Sequence, residues 1–150
     1  MSFIQEEIEE VVAELGVAAS VVPEGEAERI RDRLVASFTD GIAGSTFLWE
    51  DLRNDVSVQD PGGRYWISEF VAGQPAVLFF NAYQDRAMFL FADGADIAAA
   101  IAECTRFEFY ITNPALDHIL AFNHHDFVIA VGTAVDFVRK HGGQPPDANG

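Results

Sequence analysis

The four consecutive residues Asn123-His124-His125-Asp126 carry the groups best suited to chemistry in this sequence. Imidazole and carboxylate groups bind metal ions or act as general bases, and His118 could join them from across a hairpin. A metal site needs three or four convergent ligands, however, and neighbouring residues of a tight turn point in different directions. Asn and Asp are also ordinary turn formers. We therefore interpret the four residues as a turn that contacts a partner, and we predict no catalytic residue, no metal and no cofactor.

The other candidate reactive groups lack the surroundings that their chemistry needs. Cys104 lies at the C-terminal end of a predicted helix, where the helix dipole raises the pKa of a thiol. The segment 41–45 resembles a phosphate-binding loop but lacks its lysine and its preceding strand. Glu50 and Asp51 could serve glycoside hydrolysis, but nothing in the sequence pairs them across a cleft. Because Cys104 is the only cysteine, an internal disulfide and a cysteine-based zinc site are excluded.

Helical periodicity predicts the elements that would position these groups. Ser2 can cap the first helix, and Pro23 can begin the second, in which Arg31 is expected on the solvent side. The spacing of Trp49 and Trp66 favours core positions over the floor of a ligand pocket. The predicted helices cover residues 2–15, 23–40, 64–71, 95–104 and 133–141. Residues 47–52 form an amphipathic piece of undefined type, and residues 54–63 read as a polar loop.

Five apolar runs of strand length follow the loop. The predicted strands cover residues 76–80, 87–91, 107–111, 118–122 and 127–131. Two pairs of them are separated by short polar segments, which predicts hairpins and antiparallel pairing. The fold class expected is α+β, with an antiparallel sheet of about five strands and helices packed mainly on one face. Residues 1–141 would form one domain, and residues 142–150 a flexible C-terminal tail.

The net charge of the chain limits the classes of partner that it can bind. The sequence has 24 acidic and 9 basic residues, a formal net charge of −15, and Lys140 is the only lysine. Residues 1–28 hold eight Glu and neither Lys nor Arg. This balance excludes binding to nucleic-acid phosphates and to anionic membranes, and it suits a basic protein partner. The alternative is that the acidity serves solubility alone, or reflects a saline cytoplasm or a GC-rich genome.

Composition and the N-terminal residues favour a cytoplasmic protein. Apolar residues make up 49% of the chain, which is enough for one core. No apolar run approaches the roughly 18 residues of a membrane span. The first residues are acidic, whereas a signal peptide begins with basic residues.

Two stretches carry a resemblance to known proteins. The first comprises residues 48–52, 66–67 and 77–81; the second comprises residues 107–112 and 120–129, with the Asn-His-His-Asp turn inside it. Over about residues 47–138 the chain resembles a family of small, uncharacterised bacterial cytosolic proteins. It is also similar to immunity proteins of bacterial polymorphic-toxin systems. The resemblance implies an inhibitor that presents an acidic surface to a basic toxin.

We therefore expect an acidic protein-binding module, most simply an immunity-type inhibitor and not an enzyme. Two alternatives stay open: a structural or regulatory protein that forms a homodimer through exposed aromatic residues, and a small hydrolase that uses the Asn-His-His-Asp turn. The residues expected to contact a partner are acidic or belong to that turn: Glu6, Glu9, Glu10, Glu50, Asp51, Asp85, Asn123, His124, His125 and Asp126.

Overall fold

The computed structural model describes residues 3–41, 44 and 46–146. Within these residues the α-helices are α1 (Phe3–Leu15), α2 (Glu24–Phe38), α3 (Gly63–Trp66), α4 (Asp96–Ala102) and α5 (Val135–Lys140). Short 3₁₀ helices occupy Leu48–Glu50 and Ile67–Val71. The strands are β1 (Ala19–Val21), β2 (Val56–Gln59), β3 (Ala76–Phe79), β4 (Phe89–Phe91), β5 (Phe109–Thr112), β6 (His118–Phe122) and β7 (Phe127–Gly132). None of the described helices has the length and apolar character that crossing a membrane requires.

The described strands form one antiparallel sheet of seven strands, in the order β1-β4-β3-β5-β6-β7-β2. The α+β class is confirmed, but the predicted number of about five strands is wrong. The two additional strands, β1 and β2, stand at the edges of the sheet and have three and four residues. Such short, partly exposed strands leave little hydrophobic signal. In β2, Ser57 and Gln59 alternate with two valines, so the strand resembles part of a polar loop.

The outer edge of β2 is paired with a residue near the end of the chain. Ser57 N donates to Gln144 O at 2.9 Å, and Gln144 N donates back to Ser57 O at 3.0 Å. This reciprocal pair occupies one stretch of an edge that would otherwise offer unpaired backbone groups. Gln144 belongs to the predicted tail, whose residues 147–150 lie outside the described residues. Ser2, the predicted helix cap, and residues 42, 43 and 45 of the segment that resembles a phosphate-binding loop also lie outside them.

Helices cover both faces of the sheet unequally. On the face that we call the helical face, buried residues of α1, α4 and α5 pack against β3 to β7, with Trp66 of α3 beside them. On the opposite face, the α2 face, Ala27 and Leu34 of α2 pack in one cluster with residues of β3, β5, β6 and β7 and with Met88, which precedes β4. Alternate residues of each strand point to opposite faces, so Leu78 and Phe79 of β3 belong to different layers. The α2 face is completed by the segment 48–52, which carries residues of the candidate site described below.

Arg31 of α2 is buried, and its predicted solvent position is wrong. Only 8% of the residue is exposed. Its guanidinium donates to Phe80 O at 3.1 Å and lies over the Phe79 ring, 5.5 Å from the centroid. The long arginine stem packs with the core stripe while its head finds a carbonyl and an aromatic face, so helical periodicity alone misplaces it. Burial lowers the pKa of Arg31.

His118 lies at the far end of β6 from the Asn-His-His-Asp turn. Its side chain is fully buried, its Nδ1 lies 3.3 Å from Asp117 Oδ1, and its ring meets Phe70 edge-on at 4.9 Å. No described group bonds to its buried Nε2. The four residue steps of β6 span about 13 Å, so His118 does not join the turn as a third ligand.

Protonation of His118 should destabilise the native state. Burial lowers the pKa of His118, and Asp117 offsets this in part. In the unfolded chain the histidine binds its proton at about pH 6.5, whereas in the native state it binds the proton only at lower pH. Stability is therefore full above about pH 6.5 and falls as the pH drops toward the native pKa, by at most about 1.4 kcal/mol per unit. Urea unfolding between pH 8 and pH 5 should show this slope in the parent and a shallower slope in His118→Gln.

Exposed His125 supplies the matched control for this titration. His125→Gln makes the same substitution at an exposed position and therefore controls for the exchange of a histidine for a glutamine in itself. Carboxylates titrate mostly below this pH window and affect all three proteins alike. Equal slopes for the two histidine variants would contradict the assignment to His118.

Candidate functional site

The Asn-His-His-Asp turn joins β6 to β7 and is built by its first residue. Asn123 is 3% exposed, and its Oδ1 accepts hydrogen bonds from His125 N and Phe127 N, both at 3.0 Å. Asp126 N donates to Asn123 O at 3.1 Å, and Asp126 takes a positive φ of 63°. Asn and Asp adopt this conformation more easily than most residues. The Asn123 side chain therefore shapes the turn from inside.

The remaining side chains of the turn face outward. Asp126 forms an ion pair with Arg106 on the surface. The rings of His124 and His125 lie side by side, with centroids 4.0 Å apart, and both residues are exposed. The turn thus presents two imidazoles at one place. Within the described residues, no group of three or more His, Cys, Asp or Glu side chains is placed to hold a metal ion.

Glu108, just before β5, is the buried centre that orients this turn. Only 5% of the residue is exposed. Its carboxylate accepts from His124 N at 2.7 Å and His124 Nδ1 at 2.5 Å. It also accepts from Asn81 Nδ2 at 2.8 Å and from Trp49 Nε1 at 3.1 and 3.2 Å. A buried carboxylate surrounded by N–H donors fixes the positions of every side chain that it binds.

Asn81 and Tyr110 extend this network to the segment 48–52. Asn81 is fully buried, and its Oδ1 accepts from Leu48 N at 3.0 Å and from the Tyr110 hydroxyl at 2.5 Å. The same hydroxyl accepts from Trp49 N at 3.1 Å. Burial raises the pKa of Tyr110, which keeps the hydroxyl protonated as a donor. The backbone at Leu48 and Trp49 is thus attached to the sheet by Tyr110 of β5 and by Asn81, which follows β3.

An aromatic and histidine surface stands over this network, formed by Phe47, Trp49, Tyr83, His124 and His125. We call it the aromatic–histidine cluster. Phe47 stacks on Trp49 at 5.7 Å, meets Tyr83 edge-on at 6.0 Å, and lies 5.2 Å from His124. Trp49 meets His125 edge-on at 6.3 Å. Tyr83 is 60% exposed, so the cluster offers aromatic area at the surface.

A cleft of about 470 Å³ opens beside the cluster on the α2 face. We call it the Trp49 cleft. Its apolar lining consists of Trp49, Leu52, Phe127, Ile129 and Pro146. Its polar lining consists of Glu50, Asp55, Ser57, Asn123 and His125. Among the described lining residues there are two carboxylates and neither lysine nor arginine. Half-burial raises the pKa of Asp55, whose backbone N–H hydrogen bond acts in the opposite direction.

The structure brings together some of the residues expected to contact a partner and separates others. Glu50, Asn123 and His125 line the Trp49 cleft, and His124 lies beside it in the cluster. Asp51 is half-buried next to Glu50. The three glutamates of α1 that were expected to contact a partner are exposed on that helix and do not line the cleft: Glu6, Glu9 and Glu10.

Asp85 has a structural position. It is 7% exposed, and its carboxylate accepts from Gln5 N and Ala87 N, both at 2.9 Å. It therefore binds a backbone N–H in the first turn of α1, where a negative charge is favoured by the helix dipole. The expectation of a surface acid does not fit this burial.

The two tryptophans occupy different environments. Although helical spacing favours core positions for both, Trp49 is half-buried and lines the cleft. Trp66 packs beside the helical-face core, donates from Nε1 to Asp60 Oδ2 at 2.8 Å, and stacks on His141 at 3.7 Å. One ring therefore belongs to the candidate site and the other to the opposite layer.

Cys104 is poorly placed to act as a nucleophile. Burial raises its pKa to about 11, and Glu7 acts in the same direction. Its Sγ donates to Ala100 O at 3.2 Å, at the end of α4. The thiol is therefore almost entirely protonated at neutral pH.

The site also contains residues that the motif search did not single out. Glu108 and Tyr110 belong to the β5 segment, whereas Asn81 follows β3, and they meet because β3 and β5 are neighbours in the sheet. The sequence does contain a sign of the role of Glu108, because a charged residue inside the apolar run 107–111 is unusual and marks a candidate buried polar group.

Comparisons of this chain with protein-family models, with curated proteins and with solved structures give no match. The interpretation of the site therefore depends on its own geometry and charge.

Proposed function

We propose that this protein is an acidic protein-binding module of the cytoplasm that neutralises a basic bacterial toxin, in the manner of an immunity protein. The observation that carries the proposal is the aromatic–histidine cluster, an aromatic surface of which two members, Trp49 and His124, are bound by a buried carboxylate. Aromatic anchors supply most of the binding energy in many protein interfaces. A surface that is ordered before binding loses less conformational entropy when a partner docks.

The charge of the chain favours a basic partner for this surface. A net charge of −15 attracts basic proteins over a distance and raises the rate of encounter. Glu6, Glu9 and Glu10 contribute to this field from the exposed side of α1. Glu50 and Asp55 bring negative charge next to the aromatic anchors themselves. Long-range attraction and short-range packing thus act on the same kind of partner.

A genetic screen tests this function and identifies the toxin in the same step. An inducible library of genes from the bacterium that encodes this protein is introduced into two laboratory strains, one of which expresses the protein. We expect clones that arrest growth only in the strain without it. The product of such a clone should be basic and should form a stoichiometric complex that weakens as salt rises. A library that covers the genome several times and yields no such clone would overturn the proposal, as would rescue without a complex.

Two exposed tyrosines give a matched pair of variants for the complex. Tyr83 is 60% exposed within the cluster, whereas Tyr65 is 57% exposed on α3, whose Trp66 packs on the helical face. Tyr83→Ala should weaken binding about tenfold, a common cost for removing an aromatic anchor. Tyr65→Ala should leave the dissociation constant unchanged. If the two substitutions changed the dissociation constant equally, the aromatic–histidine cluster would not be the interface.

A second candidate function, a small hydrolase, is favoured by the pairing of Glu108 with His124. A carboxylate that accepts from Nδ1 places the proton there, so neutral His124 carries its lone pair on the outward Nε2. This is the arrangement of a general base. The two functions differ in stoichiometry: a hydrolase destroys its target at a small fraction of equimolar amounts, whereas an inhibitor protects only up to its own concentration. Titration of purified toxin with this protein separates them.

A further inference from the structure

We propose that the Trp49 cleft receives an arginine side chain of the protein partner. This inference rests on the function proposed above and names the group that the partner inserts. The cleft has an apolar floor, aromatic and imidazole walls, and two carboxylates at its polar side. An arginine side chain has the complementary parts: an apolar stem, a planar head that stacks on aromatic rings, and a positive charge.

The floor of the cleft is formed by paired strands and suits an apolar stem. Ser57 of β2 lies opposite Ile129 of β7, and Gln59 lies opposite Phe127, so Ile129 and Phe127 are neighbours on the α2 face of the sheet. Leu52 closes one side of this floor. Because strands hold these side chains, the floor is preformed.

The walls suit a planar cation. Trp49 is held by its Nε1 bond to Glu108, and His125 meets it edge-on at 6.3 Å. Guanidinium groups stack on tryptophan faces more readily than ammonium groups do, which favours arginine over lysine.

The carboxylates lack a cation within the described part of the protein. No described Lys or Arg pairs with Asp55, which precedes β2 directly, or with Glu50. Asp55 is half-buried there, and burial without a cation raises its pKa. A guanidinium in the cleft would stabilise the ionised form of Asp55 and so lower its pKa, which is opposite to the effect of burial. The position of the two acids beside an aromatic wall therefore matches the head of an arginine and not that of a neutral or anionic group.

A pair of small probes tests the cleft without the toxin. N-acetyl-arginine amide and N-acetyl-citrulline amide have nearly the same shape, but only the first is charged. In a ¹⁵N NMR titration we expect the arginine compound to shift the Trp49 indole, Ser57 and Ile129 signals with millimolar affinity. The citrulline compound should shift them at least tenfold less. Equal shifts from both compounds, or shifts confined to residues outside the cleft, would overturn the inference.

A charge-matched pair of variants tests the cleft in the complex. Glu50→Gln with Asp55→Asn removes two negative charges from the cleft, and Glu9→Gln with Glu10→Gln removes two from α1. The cleft variant should bind the toxin at least tenfold more weakly, mainly through faster dissociation. The α1 variant should bind with a slower association rate alone. Thermal unfolding checks that both variants fold.

The failure of this inference is distinguishable from that of the proposed function. If the cleft variant keeps full affinity while Tyr83→Ala loses it, the inhibitor function stands and the arginine pocket is wrong. If no toxin is found but the arginine amide shifts the cleft signals and the citrulline amide does not, the pocket stands and the inhibitor function is wrong.

Discussion

Glu108→Ala is expected to lower the free energy of unfolding by about 3–5 kcal/mol. The substitution removes the acceptor of the buried Asn81 N–H group and of the partly buried N–H groups of Trp49 and His124. Each buried donor that loses its partner costs about 1–3 kcal/mol. A domain of this size is stable by about 5–15 kcal/mol, so a large part of its stability would be lost. Urea unfolding followed by circular dichroism measures the difference.

Two further substitutions make this prediction specific. Glu103→Ala removes an exposed glutamate five residues earlier and should change stability by no more than about 0.5 kcal/mol. Glu108→Gln keeps the shape of the side chain but turns one acceptor into a donor. Its loss in free energy of unfolding should therefore lie between those of Glu108→Ala and Glu103→Ala. If Glu108→Ala costs about as little as Glu103→Ala, the buried network does not hold the site together.

Gly132→Ala is expected to cost about 3–5 kcal/mol as well, for a steric reason. Gly132 ends β7 with a φ of +70°, a conformation that alanine adopts with strain. A Cβ at this position would lie 2.2 Å from Asp117 O and 3.0 Å from the Phe38 ring. Asp117 O also accepts from Thr133 N at 3.0 Å, so the backbone around the turn cannot move away without losing a hydrogen bond.

Gly16→Ala separates the two contributions. Gly16 has nearly the same φ, +67°, but its Cβ would have no described atom within 4 Å. This substitution should cost about 1 kcal/mol from backbone strain alone. The difference between the two alanine variants in denaturant unfolding then measures the clash with Asp117. Similar losses for both would show that the chain near Gly132 relaxes and that the close approach is unimportant.

The parts of the fold that sequence predicts are those with long, uniform signals. Strands β3, β6 and β7 are buried almost throughout and appear as continuous apolar runs. Gly16, with a positive φ, follows the last residue of α1, as the helix-stop pattern predicts. The edge strands β1 and β2 escape prediction because three or four residues with polar members do not differ from a loop. Arg31 is misplaced because a charged head conceals an apolar stem.

The site was predictable only at its surface. The Asn-His-His-Asp turn attracts notice by composition, since its four residues are consecutive. The groups that hold it come from elsewhere: Glu108 is 16 positions away from His124, and Asn81 is 27 away from Glu108. They become neighbours because β5 lies between β3 and β6 in the sheet. Local hydrophobic periodicity does not predict this strand order. Local composition is therefore enough to predict the turn as a contact surface, whereas the groups that hold it can be found only from the order of the strands.

The two indole rings make unfolding of this protein visible at two separate places. Trp49 donates to a carboxylate beside the α2 layer, and Trp66 donates to another beside the helical layer. They are the only tryptophans of the chain, so a variant that replaces either by phenylalanine leaves a single fluorophore on a known side of the sheet. Intrinsic fluorescence thus reports whether the two layers melt together or one after the other, without any attached dye.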